Sequence, residues 1–151
     1  MNILFVCTGN TCRSVMAEGV ARKLIKERAL KNINVSSAGT IGGPGLKIFG
    51  DLEEVLKEND IKHGGHVSTP LTKELILASD LILVMEEHHK QSVLELAPEA
   101  KDRVHLLTEF AGEKPYEIPD PIGQPKEVYE SSFKEIEGLV EKIFDRLGGV
   151  E

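Results

Sequence analysis

The residues best suited to chemistry lie together near the start of the chain. In order they are Cys7, Thr8, Gly9, Asn10, Thr11, Cys12, Arg13 and Ser14. We call this segment the Cys7 loop. Backbone N–H groups of a curled loop converge on an anion, and Arg13 can hold two oxygens of a phosphate at once. Such surroundings favour the thiolate form of Cys7, which is a nucleophile. The spacing therefore predicts a phosphate-binding loop in which Cys7 attacks phosphorus.

The segments on either side of the Cys7 loop predict the geometry that it needs. Residues 2–7 indicate a buried strand, because they contain an unbroken apolar run. Helical periodicity over residues 14–30 places the loop at a helix N-terminus, where the partial charge is positive. Gly9 and Asn10 tolerate the positive φ values of a curled backbone. Ser14 can donate a hydrogen bond to the thiolate and also serve the helix start.

Other interpretations of the Cys7 loop fit the sequence less well. A Walker loop is excluded, because no Gly-Lys-Ser/Thr follows. A zinc site would need two ligands besides Cys7 and Cys12, and no paired histidine motif accompanies them. A non-catalytic phosphate-binding module would not need Cys7. A buried cysteine at the end of a strand is the purely structural alternative, and it leaves Arg13 unexplained.

The rest of the chain alternates between predicted strands and helices. Further strands are expected at 33–37, 81–85 and 104–107. Further helices are expected at 49–59, 71–78, 87–96 and 133–147. Irregular loops rich in glycine or proline are expected at 39–47 and 111–126. This alternation predicts an α/β fold, a parallel sheet with helices on both faces, formed by one domain over residues 1–151.

The predicted parallel sheet also indicates where a ligand would bind. Parallel α/β sheets bind ligands at the carboxyl ends of their strands. The Cys7 loop follows the first strand at that edge. The late loop at 111–126 could supply the opposite wall of the site.

Composition and charge narrow the class of partner. The 151 residues carry a formal net charge of -7, which argues against nucleic acid or an anionic membrane as a partner. A small anionic substrate is still possible at a locally positive site.

Two cysteines this close in sequence do not form the disulfide framework of a secreted protein. The apolar run at 3–6 is far too short for a signal peptide or a membrane span. We therefore expect a cytoplasmic protein, and a monomer because no exposed apolar stripe stands out.

The Cys7 loop closely resembles the signature of the low-molecular-weight protein tyrosine phosphatase family. The resemblance continues along the chain. The Ser37–Thr40 segment follows the second strand as in that family, and His66 precedes a Leu-Thr-Lys-Glu helix. Asp120 and Pro121 lie in the late loop, where the family keeps its general acid. One departure is Val15, where the family usually has proline at the helix start; proline there is favourable but replaceable.

This resemblance implies a fold and a mechanism. The implied fold is a three-layer α/β/α arrangement around a four-stranded parallel sheet in the order 2-1-3-4. The Cys7 thiolate would attack phosphorus to form a phosphocysteine, and Asp120 would protonate the leaving group and then activate water. Arg13 and the backbone of the loop would stabilise the transition state. No metal or other cofactor is expected. The alternative for Asp120 is a turn residue before Pro121.

The resemblance also implies residues that support the loop. Asn10, Ser37 and His66 would form a hydrogen-bond network that holds the loop in its strained shape. The alternative for His66 is an exposed loop histidine. The same interpretation applies to three further residues, which are His63, His88 and His89.

Cys12 has two interpretations. By resemblance it would form a reversible disulfide with Cys7, which would protect the nucleophile from over-oxidation. The alternative is a small apolar residue at the base of the loop. The sequence does not give the geometry of the two sulfur atoms that would decide between them.

Two positions bear on the choice of substrate. Tyrosine-directed relatives carry aromatic residues just after Asp-Pro, which stack on the substrate ring, whereas Ile122 offers only an apolar wall. Thr11 stands where tyrosine-specific relatives usually have a larger aliphatic residue, and it resembles the protein-arginine phosphatase branch. Phosphoarginine is narrow and planar, and Asp120 could protonate its leaving nitrogen. We therefore expect a phosphatase of phosphorylated proteins that prefers phosphoarginine. The alternative is a tyrosine phosphatase in which Thr11 and Ile122 are neutral differences.

Two other classes share parts of this pattern. An arsenate reductase of this fold needs extra cysteines for its redox relay, and the chain has only Cys7 and Cys12. A cysteine phosphocarrier stores the phosphoryl group and has no use for Asp120 or for Arg13.

Seven residues are expected to contact the substrate. They are Thr8, Gly9, Asn10, Thr11, Cys12, Ser14 and Ile122.

Overall fold

Four parallel strands form the centre of the computed structural model, which describes residues 1–48 and 50–148. The strands are β1 (Asn2–Cys7), β2 (Asn34–Gly39), β3 (Leu81–Val84) and β4 (Val104–Leu106). All three strand pairings are parallel, and the order in the sheet is β2-β1-β3-β4. The expected α/β fold and the expected strand order are both confirmed.

Helices cover both faces of this sheet. They are α1 (Arg13–Glu27), α2 (Gly50–Glu58), α3 (Lys73–Leu77), α4 (Glu87–Leu96), α5 (Leu107–Phe110) and α6 (Lys126–Gly148), with a 3₁₀ helix at Pro98–Arg103. The helix expected at 49–59 is observed as α2, and Phe49 lies outside the described residues. The 3₁₀ helix and α5 are not predicted by the apolar periodicity, because each is too short to show a repeat.

The last helix begins earlier than its apolar pattern predicts. The pattern starts at Phe133, but α6 starts at Lys126, directly after Pro125. Proline is compatible with a helix start, and the N–H of Val128 donates to the carbonyl of Pro125 at 3.0 Å. The buried Tyr129 extends the core-facing side of the helix through this first part. The late loop therefore ends at residue 125.

Two hydrophobic clusters, one on each side of the sheet, hold the layers together. Along β1 the side chains alternate, so that Ile3 and Phe5 join one cluster while Leu4 and Val6 join the other. The first cluster contains apolar residues of α1, α2 and α6, and the second contains those of α3, α4 and the 3₁₀ helix. Burial on both faces explains why β1 reads as a continuous apolar run.

None of the helices in the described parts of the chain combines the length and the apolar character needed to cross a bilayer.

The end of β2 lies against the backbone of the Cys7 loop. Gly39 is paired with Cys7 in the sheet, and the N–H of Thr40 donates to the Cys7 carbonyl at 2.9 Å. A Cβ atom on Gly39 would lie 2.5 Å from the carbonyl oxygen of Thr8 and 2.7 Å from the amide nitrogen of Asn10. Only glycine therefore permits this close approach of two backbone segments.

We expect Gly39→Ala to push the Cys7 loop away from β2 and to lower the free energy of unfolding by about 1–3 kcal/mol, the usual cost of overpacking. Urea denaturation of the purified protein measures this change. Gly43→Ala is the matched control, because a Cβ on Gly43 meets no atom within 4 Å. The expectation fails if the two variants are equally stable.

Candidate active site

The Cys7 loop connects the end of β1 to the start of α1, at the carboxyl edge of the sheet. It borders a cleft of 520 Å³ that also receives residues from the loop after β2 and from the late loop. The residues lining the cleft are Cys7, Thr8, Gly9, Thr11, Cys12, Arg13, Ile41, Gly45, Leu46, Lys47, Ile48, Asp120 and Ile122. The sequence-predicted nucleophile, phosphate ligand and acid thus share one cleft.

Asn10 holds the Cys7 loop in its curled shape. It is buried and has a φ of 53°, in the left-handed region that asparagine tolerates better than most residues. Its amide nitrogen donates to the hydroxyls of Ser14 at 2.8 Å and Ser37 at 2.9 Å. Its amide oxygen accepts from the N–H of Thr69 at 2.8 Å, and its carbonyl accepts from Nε2 of His66 at 2.8 Å. The three residues expected to support the loop are therefore brought together.

The donors and acceptors of this network determine which group donates to the Cys7 thiol. Ser37 donates its hydroxyl hydrogen to Glu18, so it accepts from Asn10. Ser14 also accepts from Asn10, which leaves the Ser14 hydroxyl hydrogen free to point at Cys7, 2.9 Å from oxygen to sulfur. A thiolate at Cys7 would accept this hydrogen bond. The chain of donors thus ends on the proposed nucleophile.

Two members of this network are not predicted by the sequence. Glu18 lies one helical turn beyond Ser14 on α1, and Ser68 donates to the carbonyl of Gly9 at 2.7 Å. Ser68 also accepts from the N–H of Gly43 at 3.0 Å, so it joins the Cys7 loop to the loop after β2. Neither residue belongs to a recognisable motif, and only the tertiary structure brings them to the site.

Arg13 is almost completely buried, with 1% of its surface exposed. Its Nη1 donates to Glu86 at 2.5 Å and to the carbonyl of Ile118 at 2.7 Å. Its Nη2 lies 3.6 Å from a carboxylate oxygen of Asp120 and 3.4 Å from the hydroxyl oxygen of Thr8. Its Nε has no hydrogen-bond partner. The Nη1 end of the guanidinium is therefore fixed, while the buried Nε is a donor without a partner.

Glu86 fixes this orientation of Arg13, and the sequence does not reveal it. Burial by itself would raise the pKa of Glu86, but the hydrogen bond and charge of Arg13 outweigh burial and hold that pKa below its ordinary value. The carboxylate is therefore ionised at neutral pH and pairs with the guanidinium. Glu86 follows β3, far from Arg13 in sequence, and only the pairing of β1 with β3 brings the two together.

Asp120 lies at the opposite wall of the cleft from the Cys7 loop. Its side chain is 37% exposed and accepts a hydrogen bond from the N–H of Ile122 at 3.1 Å. The late loop is tied to the sheet nearby, where the N–H of Ile118 donates to the carbonyl of Met85 at 3.0 Å. Asp120 thus closes a local turn, as the structural alternative predicts, and also faces the cleft, as a general acid requires.

The interpretation of His89 as an exposed loop histidine is wrong. His89 is buried in the first turn of α4, and its exposed neighbour His88 also lies in that helix rather than in a loop. Nδ1 of His89 accepts from the N–H of Glu86 at 3.0 Å, and Nε2 lies 2.9 Å from the hydroxyl oxygen of Thr8. Because Nδ1 accepts, the proton of a neutral ring is on Nε2, which donates to Thr8. The sequence gives no capping-box signature here, because Glu86 and His89 stand where that motif has Ser or Thr and Glu or Gln.

The other two histidines differ from one another in their contacts. His63 is half-buried in the loop before α3 and accepts a long hydrogen bond from the N–H of His66. His66 is also half-buried, and its contact with Asn10 agrees with the expected supporting position rather than with a free loop residue.

Cys12 is a buried free thiol at the base of the loop. Burial raises its pKa well above the ordinary value, and the neighbouring Cys7 adds to the rise. The Cys12 thiol is therefore neutral, and Cys7 is the cysteine placed to act as nucleophile. A reversible disulfide between the two stays a prediction.

One group of side chains in the described part of the chain could approach a metal ion. Glu86, His88 and His89 place three ligand atoms within 4.8 Å of one another. Glu86 is already paired with Arg13, and both ring nitrogens of His89 are already hydrogen-bonded. Metal binding would have to break these contacts next to a buried cation, so we assign no metal to this group.

The neutral state of His89 predicts a pH dependence of stability. Burial lowers its pKa to about 3, and the charges of Arg13 and His88 add to the effect, against a smaller opposing effect of Glu86. Between pH 6.5 and about 3 the unfolded chain takes up a proton at His89 and the folded protein does not. Stability contributed by this residue therefore falls as the pH falls, by at most about 1.4 kcal/mol per pH unit.

Urea denaturation across this pH range, for the wild type and for His89→Asn, measures the contribution of His89. The variant has no titrating group at position 89, so its stability should fall less steeply on acidification. Parallel curves for the two proteins would contradict the assignment of a neutral, buried imidazole.

Comparison with known proteins agrees with this fold. The model of the family "Low molecular weight phosphotyrosine protein phosphatase" matches residues 2–149. The chain is 40% identical over 147 residues to the protein-arginine-phosphatase of Bacillus subtilis, covering 97% of each chain. It is also similar to the YwlE arginine phosphatase in its C7S form with a phosphorylated active site serine, with a TM-score of 0.92 and 36% identity over 98% of this chain and 96% of that one.

A third relative carries the other activity of this group. The low molecular weight protein tyrosine phosphatase from T. tengcongensis is 37% identical, with a TM-score of 0.90 over 97% of this chain and 99% of that one. Overall similarity therefore does not separate arginine from tyrosine relatives. The whole-length family match and these similarities show that the chain belongs to the low molecular weight phosphotyrosine protein phosphatase family.

Proposed function

We propose that this protein is a cysteine-dependent phosphatase of phosphorylated proteins, with phosphoarginine as its preferred substrate. The observation that carries the proposal is the state of Arg13. A buried guanidinium, held by Glu86 and the Ile118 carbonyl, leaves Nε without a partner in a side chain that lines the same cleft as Cys7. An unpaired buried donor is costly unless a ligand completes it. A phosphoryl oxygen is the acceptor that fits, because a guanidinium holds two phosphate oxygens at once.

The proposed first step transfers the phosphoryl group to the enzyme. The Cys7 thiolate attacks phosphorus, an S–P bond forms and the P–N bond of phosphoarginine breaks. Asp120 gives its proton to the leaving nitrogen, so that a neutral guanidine departs. Ser14, 2.9 Å from the sulfur, stabilises the thiolate before the attack. Arg13 and the N–H groups of the loop stabilise the charge on the equatorial oxygens.

The proposed second step returns the enzyme to its starting state. Asp120, now a carboxylate, accepts a proton from a water molecule as that water attacks phosphorus. The S–P bond breaks, and inorganic phosphate and the Cys7 thiolate are released. The relative with a phosphorylated active site serine is a YwlE arginine phosphatase, which supports a covalent phosphoryl intermediate here. Every group that these steps need belongs to the chain, so we expect no metal or other cofactor.

The lining of the cleft supports phosphoarginine over phosphotyrosine. Thr11 is buried at its floor, and its hydroxyl oxygen lies so close to Gly9 that a Cβ there would be only 3.3 Å away. The apolar wall comes from Ile41, Leu46, Ile48 and Ile122, and no aromatic side chain is among the described residues that line the cleft. Among these described residues a tyrosine ring finds an apolar wall and not an aromatic face. The name of the B. subtilis relative supports the same choice.

The tyrosine phosphatase is the second candidate, because a relative named as a protein tyrosine phosphatase is as similar in fold as the arginine phosphatases are. Both candidates use the same nucleophile, acid and phosphate ligands. They differ only in the leaving group, an oxygen in one and a nitrogen in the other.

The remaining expectations concern the setting of the reaction. We propose a single catalytic domain over residues 1–151 that acts as a monomer on phosphorylated proteins, and not on nucleic acid or at a membrane. The net charge of -7 supports the exclusion of polyanionic partners. We place the protein in the cytoplasm, because a catalytic thiol needs a reducing compartment.

Cys7→Ser should abolish turnover of p-nitrophenyl phosphate, because a serine hydroxyl is a far weaker nucleophile at neutral pH than a thiolate. The wild type should hydrolyse this substrate in the presence of a metal chelator. A steady-state assay of released p-nitrophenol measures both. Lack of turnover by the wild type, or retained turnover by the variant, would overturn the proposed function.

Thr11→Ile should shift substrate choice from phosphoarginine toward phosphotyrosine. The added bulk of isoleucine at the floor of the cleft should change the ratio of the two kcat/KM values by about tenfold, as pocket contacts of this size usually do. Peptides that differ only in the phosphorylated residue provide the comparison. Activity of the variant on p-nitrophenyl phosphate controls for folding. A wild type that prefers phosphotyrosine, or an unchanged ratio in the variant, would exclude the arginine assignment.

A further inference from the structure

His89 joins two structures that lie on opposite sides of the Arg13 guanidinium. Through Nδ1 it accepts from the N–H of Glu86, whose carboxylate pairs with Nη1 of Arg13. Through Nε2 it donates to Thr8, whose hydroxyl oxygen faces Nη2 of Arg13. A single buried imidazole therefore contacts both neighbours of the buried cation.

His89 contacts a residue, Glu86, that both caps α4 and pairs with Arg13. Glu86 is the N-cap of α4, and the ring of His89, the third residue of that helix, accepts from the Glu86 N–H. The same Glu86 carboxylate is the ion-pair partner of Arg13. Any rotation of the Glu86 backbone would move this carboxylate, so the Nδ1 contact fixes the side of Arg13 that faces away from the cleft.

The contact with Thr8 is not needed for capping. A cap requires only Nδ1, whereas Nε2 reaches across to the Cys7 loop, from α4 to the residue after β1. The Thr8 oxygen accepts from Nε2 of His89 and faces a second donor, Nη2 of Arg13. With both lone pairs directed at donors, the hydroxyl is fixed in place, and it limits where Nη2 can move.

We infer that His89 is a positioning residue for phosphate binding, which aligns Arg13 by holding Glu86 on one side of the guanidinium and Thr8 on the other. This inference rests on the proposed function and adds a residue to it. Histidine suits the position because its two ring nitrogens accept on one edge and donate on the other, which no aliphatic side chain can do. His89 acts through Arg13 and touches no reacting atom.

Three substitutions separate the two contacts. His89→Asn keeps an oxygen near the position of Nδ1, so it preserves the contact with Glu86 and loses the reach to Thr8. His89→Gln can place an amide nitrogen near the position of Nε2, so it preserves the donor to Thr8. Thr8→Val removes the hydroxyl with little change in shape. His105→Asn is the matched control, a histidine of β4 whose side chain contacts Glu109 and Phe110 instead.

The measured quantity is the inhibition constant of inorganic phosphate, with p-nitrophenyl phosphate as substrate and the melting temperature recorded for each variant. His89→Asn and Thr8→Val should each weaken phosphate binding by about tenfold, the effect expected when a hydrogen bond that orders a charged group is lost. His89→Gln should weaken it less, and His105→Asn should leave it unchanged. The double variant Thr8→Val with His89→Asn should bind phosphate no more weakly than the poorer of the two single variants. Each substitution removes the same contact between Thr8 and His89.

Several results would overturn this inference. One is an inhibition constant of phosphate in Thr8→Val and His89→Asn that stays within about twofold of the wild-type value. Another is a double variant in which the two effects add. A larger loss of phosphate binding in His89→Gln than in His89→Asn, matched by a larger drop in melting temperature, would reduce His89 to a helix cap. Failure of the proposed function itself would appear separately, as a wild type without turnover.

Discussion

A buried positive charge is the constraint on which the arrangement of this site depends. A guanidinium removed from water is tolerated only when it is paired and hydrogen-bonded. Arg13 meets this requirement with groups from different parts of the chain, namely the carboxylate of Glu86 and the carbonyl of Ile118. These contacts explain why the late loop and the segment after β3 must both lie against the Cys7 loop.

The topology of the sheet makes these contacts possible. The parallel pairing of β1 and β3 brings Val6 next to Val84, so that the segments following both strands leave the sheet at the same edge. The backbone of Met85 then accepts from Ile118, and this bond brings the late loop to the same place. The strand order β2-β1-β3-β4 puts β1 in the centre, flanked by the strand that carries Ser37 and the strand that precedes Glu86. Supporting residues therefore reach the Cys7 loop from both sides.

Local patterns carried most of what the sequence could predict. Cys7, Arg13 and Ser14 lie within one short segment, and the buried strands and long helices follow from apolar runs and periodicity. The start of α6 is set by Pro125 rather than by an apolar repeat, so the pattern places it too late. The positions of Ser37, His66 and Asp120 came from family resemblance, because no local rule brings such distant residues together.

Glu86, His89, Glu18 and Ser68 could not be assigned to the site from sequence. Each is an ordinary polar residue whose partner lies on another element. His89 shows the difficulty most clearly. On its own helix it looks like one of two adjacent histidines, and only the fold decides that His88 faces water while His89 is buried against Thr8.

The left-handed backbone at Asn10 has a consequence for the rate of turnover. The side chain and carbonyl of Asn10 are bonded to Ser14, Ser37, Thr69 and His66, so groups of the protein itself hold the curled shape of the loop. The entropy of ordering this segment is then lost once, when the chain folds, and not each time a substrate arrives. Departure of the product leaves behind a loop already shaped for the next phosphoryl group. No reordering of this segment is then needed before the next turnover.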